Sequence, residues 1–155
     1  MSKFIFFVAL ITLLSCKEQP QRFVGLWKIY AIETQDSTGR WTAADWMKNG
    51  QGYLHYDNHK NMSIHFTPEH YEAMDVPDLK KQDWDFASMD NFSSDYWYVG
   101  AYKIIDNHTI EHLRIMHSDP SENNVKVRRG FAFSGDTLII SAEEFGLRLK
   151  WLPAN

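Results

Sequence analysis

Arg129 stands in an alternating segment whose other members of the same parity, Val125, Val127, Phe131 and Phe133, are apolar. Side chains of one parity share one face of a strand, so this arginine is expected on the face that points inward. A buried guanidinium needs a carboxylate, several acceptors, water or a bound anion beside it, and an internal ion pair and a ligand contact both satisfy that need. His112 has the parity of Ile110, Arg114 and Met116 and reads either as a hydrogen-bonded core imidazole or as a ligand contact. Tyr98 and Tyr102 flank Gly100 on one face, where a ligand could approach the backbone between two phenols, although core filling explains them equally well. Together Tyr98, Tyr102, His112 and Arg129 form the candidate ligand-binding set. It suits a molecule with an apolar body and an acidic or carbonyl end that meets Arg129.

Other chemistries find little support. The chain has seven histidines, but none has H-E-x-x-H or comparable metal-ligand spacing; His55 and His65 are close enough in sequence to meet across a hairpin, yet no third ligand is identifiable. There is no G-x-S-x-G segment for a serine nucleophile. Asp83 and Asp85 fall in a charged stretch and read as a solvated face. No catalytic residue, metal or cofactor is therefore assigned. A formal net charge of -4 offers no basic field, which argues against a nucleic-acid partner.

The elements that must position the four residues follow from alternation and turn residues. Strands are expected at 25–32, 52–56, 62–66, 96–104, 109–117, 125–133, 137–141 and 147–152, with polar turns such as Asp57-Asn58-His59-Lys60 and Ser134-Gly135-Asp136 between neighbours. Residues 41–49 show no clear period. Residues 68–92 are charged, and Leu79, Phe86 and Met89 are spaced as a loose helical face, so a short helical insert is expected between the third and fourth strands. Aromatic residues make up 15% of the chain, which favours a sheet-rich fold filled by large side chains. The expected architecture is all-β: an up-and-down antiparallel barrel of about eight strands, a number that leaves room for one small ligand. Trp27 is expected to close one end, with Gly25 permitting close packing beside it.

Cys16 is the sole cysteine and stands where an N-terminal apolar segment ends. Met1-Ser2-Lys3 supplies a positive start, residues 4–14 an apolar run too short to span a bilayer core of roughly 30 Å, and Ser15 a small residue at the cut. Residues 1–15 read as an export signal, 16–22 as a polar tether and 23–155 as one domain. Leu13-Leu14-Ser15-Cys16 resembles a bacterial lipobox, which implies acylation of the Cys16 thiol and a lipid anchor at a membrane of the bacterial envelope, the outer membrane being the expected one.

Several segments taken in order carry a wider resemblance. They are Phe23-Val24-Gly25-Leu26-Trp27, Gly52-Tyr53-Leu54-His55-Tyr56, Asn61-Met62-Ser63, Tyr98-Val99-Gly100-Ala101-Tyr102, Thr109-Ile110-Glu111-His112 and residues 129–138. The first is similar to the Gly-x-Trp opening of lipocalins, and the whole set resembles the bacterial lipocalin-like domain family over nearly all of the chain after the tether. The resemblance implies a barrel with a ligand cavity, says little about the ligand, and matches His112 to the family's histidine. The chain has His59-Lys60 where the family often turns with Asp-Gly, and an arginine cap on Trp27 would have to come from Arg148.

Three readings of function follow. The first is a lipid-anchored barrel that binds a small apolar or amphipathic molecule. The second is an enzyme of isomerase or hydratase type in the same cavity, with His112 or a tyrosine as acid or base and Arg129 stabilising negative charge. The third is an envelope interaction protein with a solid interior. An open or a filled barrel discriminates the third from the others.

Overall fold

Period-two alternation of apolar and polar residues produces nine antiparallel strands in the computed structural model, which describes residues 22–44, 50–67 and 96–154. They are β1 (Gly25–Gln35), β2 (Trp41–Ala43), β3 (Gln51–Tyr56), β4 (Asn61–Thr67), β5 (Tyr96–Ile104), β6 (Thr109–His117), β7 (Val125–Ser134), β8 (Thr137–Ala142) and β9 (Leu147–Pro153). From β3 to β9 each strand pairs with the next, and β1 pairs with both β3 and β9. Eight strands thus close a barrel without a free edge, as expected.

The ninth strand, β2, is the one that the sequence reading passed over. Three residues are too few to show a period. It returns beside the end of β1, with Thr34 opposite Thr42, after a turn in which the Asp36 carboxylate accepts the Thr38 and Arg40 amides. The expected helical insert and Cys16 both lie outside the described residues.

One end of the barrel is filled by aromatic rings. Phe23 meets Tyr56, Phe131 and Phe133 edge-on at centroid distances of 5.6, 4.7 and 5.3 Å, the geometry that ring quadrupoles favour. Trp27 lies here as core, and its indole nitrogen donates to the Phe23 carbonyl at 2.8 Å. Gly25 has a different role from the one expected. Its φ is +144°, and a Cβ there would meet nothing within 4 Å, so the glycine is required by backbone conformation, not by close packing. Arg148 is also placed differently: it lies over the Trp41 ring at 4.2 Å and pairs with Glu33, leaving Trp27 uncapped by it. Arg22 instead covers Phe133 at 4.0 Å.

Two bulges correct the expected parity. In β1 the pairing with β9 shifts between Ile29 and Ala31, so Tyr30 is extruded to 68% exposure and Ile32 turns inward against the core. In β6 the pairing with β5 shifts opposite Val99 and Gly100. Met116, expected inward, is therefore exposed, and His117 is buried in its place. Gly100 accommodates this second bulge, since a Cβ on it would lie 1.8 Å from the Leu113 carbonyl oxygen. The close approach expected at Gly100 is thus made by the neighbouring strand.

Removing Trp27 would leave a void at the filled end. Trp27→Ala is expected to cost on the order of 3 kcal/mol, the range for deleting a large buried aromatic. Chemical denaturation of the variant checks this, and an unchanged midpoint would contradict the core role.

Candidate functional site

The opposite half of the barrel is hollow. A cavity of about 220 Å³ is lined by Leu54, Ile64, Phe66, Ile140, Leu149 and Trp151, with Tyr96, Tyr98, His112, Arg114 and Arg129 on its polar side and Ala142, Phe145 and Leu147 toward the ends of β8 and β9. That volume holds about seven water-sized groups, below the usual roughly 300–1,000 Å³ for ligand pockets. Any occupant is small.

Three of the four expected residues meet at this cavity, namely Tyr98, His112 and Arg129. They arrive from β5, β6 and β7, which pair in sequence order, with Tyr98 and Tyr102 of one parity and His112 directly opposite both Tyr102 and Val127. Tyr102 is placed elsewhere. Its hydroxyl donates to the Asp57 carbonyl at 2.9 Å, its ring packs against Tyr56, and it is not among the described residues that line the cavity. It faces the right way but sits too far toward the filled end, a height along the strand that parity does not encode.

His112 forms the boundary between the two halves. Its Nε2 lies 2.8 Å from the Tyr56 hydroxyl and its Nδ1 2.9 Å from the Tyr98 hydroxyl. Burial and then the positive charges of Arg129 and Arg114 pull its pKa down to about 3, so the ring is neutral. Burial likewise pushes both phenols up, Tyr98 additionally through Tyr96. A neutral imidazole between two neutral phenols gives both buried ring nitrogens a hydrogen-bond partner.

The two arginines, Arg114 buried and Arg129 partly so, line the cavity and are paired with carboxylates. The Arg129 side chain is 11% exposed and meets the half-exposed Glu144. The Arg114 side chain is 8% exposed and meets Glu122, its guanidinium 5.2 Å from the Tyr98 ring centre. Both carboxylates sit on single 3-10 turns, Pro120–Glu122 and Glu143–Phe145, at the same end of the barrel. Structural pairing of Arg129 and its exposure to a cavity therefore hold together, where the sequence left them as alternatives.

Arg114, Tyr96 and His117 were not singled out by the sequence reading. Arg114 had the parity signal, being on the His112 face, and the same argument that marked Arg129 applies to it. Tyr96, partly buried and with its phenol pKa raised chiefly by desolvation, precedes Tyr98 by one period. His117 had no signal, because only the β6 bulge turns it inward; it stacks on Tyr98 at 5.7 Å and its Nδ1 accepts the Asp119 amide. His55 and His65 are exposed and out of register, with His65 opposite Tyr53 and His55 opposite Ser63. Among the described residues no three His, Cys, Asp or Glu side chains are grouped to hold a metal ion, and no helix is long and apolar enough to cross a membrane.

Comparison with known proteins adds one match. A family model described as a lipocalin-like domain matches residues 24–148, a span that runs from the start of β1 into β9 and holds every residue of the polar cluster. No curated protein matches the chain.

The imidazole makes stability depend on pH. Unfolded, His112 takes a proton near pH 6.5, but folded only near pH 3. Its contribution is thus complete above 6.5 and is lost as pH falls below it, at up to about 1.4 kcal/mol per unit. His117, lowered by burial and by Arg114, acts in the same direction. Glu33, held low by Lys150 and Arg148 against the opposing effect of burial, adds its own loss only below about 4.5. Denaturation of the wild type at pH 6.5 and pH 5 is expected to show a loss on the order of 2 kcal/mol from His112, which His112→Gln removes.

Proposed function

The chain belongs to the lipocalin-like domain family, and from that premise we propose that it binds a small amphipathic acid, its apolar body in the barrel and its acidic end at Arg129. The observation that carries this reading is the pairing of a hollow, largely apolar half-barrel with two guanidiniums on one side of it, one buried and one largely covered. A cavity is what a solid interaction barrel would lack. His112 has both ring nitrogens engaged by tyrosines and a pKa far below neutrality, which speaks against it as the acid or base of the enzyme reading.

The volume favours a chain of medium length, so octanoate is a suitable probe. An incoming carboxylate competes with Glu144 for Arg129. Titration calorimetry is expected to show binding of octanoate, weakened about tenfold or more in Arg129→Met and strengthened in Glu144→Gln, where the internal competitor loses its charge. Equal affinity in all three proteins would refute the placement of the acid.

The same proposal includes export and anchoring through acylated Cys16, supported by the order of positive start, short apolar run and small residue before the cysteine. The barrel would then work at a membrane surface of the bacterial envelope, where amphipathic acids partition. Cys16→Ala is expected to move the protein from the membrane fraction to the soluble one. Retention in salt-washed membranes would count against the anchor.

A further inference from the structure

Hydrogen atoms around His112 can be assigned by accounting for every donor. The Tyr56 ring is fully buried, it does not line the cavity, and its hydroxyl has one hydrogen-bond partner among the described residues, the Nε2 of His112. If Nε2 carried the imidazole proton, Tyr56 would have to accept it. The phenolic proton of Tyr56 would then be left in the core without an acceptor, the most costly way to arrange such a chain. With Tyr56 donating to Nε2, a neutral ring carries its proton on Nδ1 and donates it to the Tyr98 oxygen. Arg114, which has only donors to give, bears on the same phenol. The Tyr98 oxygen is thereby used as an acceptor, and its own proton is left for the cavity that Tyr98 lines.

Resting on the proposed function, we propose that Tyr98 is a specificity-determining donor of the binding site, its hydroxyl proton turned toward the ligand by the Tyr56–His112 pair, so that donors predominate on the polar side of the cavity and favour a deprotonated acid. His112 and Tyr56 are positioning residues in this scheme. Arg129 and Arg114 cannot accept a hydrogen bond, and of the His112 nitrogens Nε2 is taken by Tyr56 while Nδ1 carries the proton given to Tyr98. A ligand group that brings its own protons, such as an amide or an ammonium, finds the Tyr96 hydroxyl as its side-chain acceptor there, against the donors of Tyr98, Arg114 and Arg129. A carboxylate has four lone-pair directions and no proton, which matches what these side chains present. Such selectivity rests on the unpaired group that the wrong ligand would bury, the type of discrimination that polar sites achieve best.

The tautomer is tested first, without ligand. Long-range ¹H–¹⁵N correlation spectra of the ¹⁵N-labelled protein at pH 7 are expected to show His112 protonated at Nδ1 and bare at Nε2. Protonation at Nε2 would overturn the proposal. Binding is tested next, by calorimetry with octanoate and octanamide on the wild type and Tyr98→Phe. Octanoate is expected to weaken about tenfold in Tyr98→Phe while the variant keeps the wild-type circular dichroism spectrum, and octanamide is expected to bind the wild type at least tenfold more weakly than octanoate. Undiminished octanoate binding in Tyr98→Phe, or equal affinity of the wild type for both probes, overturns the donor role even though an acid still binds. Failure of octanoate to bind the wild type would instead count against the proposed function, and the imidazole spectrum still decides the hydrogen assignment, including when Tyr98→Phe does not fold.

Discussion

A neutral imidazole held between two phenols divides this barrel into a filled half and a hollow one. Tyr56, Tyr98 and His112 come from β3, β5 and β6, so the hydrogen-bonded chain crosses the interior and ties together strands that are not all neighbours. Below it the space is taken by Phe23, Phe131 and Phe133, packed edge to face, and by Trp27 tilted against Phe133. Above it the side chains stand back around the cavity. Without the two phenols, water would need to reach down to the buried nitrogens of His112.

Charge is arranged to suit this division. Arg114 and Arg129 stand on the hollow side, with their carboxylate partners carried on short turns outside. The imidazole beneath them is kept uncharged partly by their field, so the cations and the neutral ring depend on one another. A guanidinium pair in the hollow half and a protonated imidazole at its floor would repel across a region of low dielectric.

Much of this was legible in the sequence, and the parts that were not share a cause. Strict alternation with turn residues located eight strands, and the parity of Val127, Arg129 and Phe131 on β7 turned the arginine inward, because that strand pairs without interruption through this stretch. Parity failed at Met116, and alternation counted from the buried Trp27 fails likewise at Ile32, each lying beyond a bulge that adds one residue to one strand and inverts every side chain after it. The only written trace of the β6 bulge is on the partner strand, at Gly100. Parity also says which face a residue takes but not how far along the barrel it lies, which is why Tyr102 was grouped with a cavity that it does not reach. The hydrogen-bond partners of His112 were unreadable for a related reason: Tyr56 is 56 residues away, and only closure brings β3 toward β6.

Closure also has a consequence for how the chain reaches its native state. β1 finds one of its two neighbours in β3, but the other is β9, so Trp27 meets Pro153 and Thr34 meets Leu147. The contact that seals the cylinder therefore spans most of the chain and is expected to come late, after the intervening hairpins have formed. Until then β1 and β9 are bare edges, able to pair with another molecule as well as with each other. A chain released without its last strand would not be a slightly smaller barrel but an open, sticky sheet.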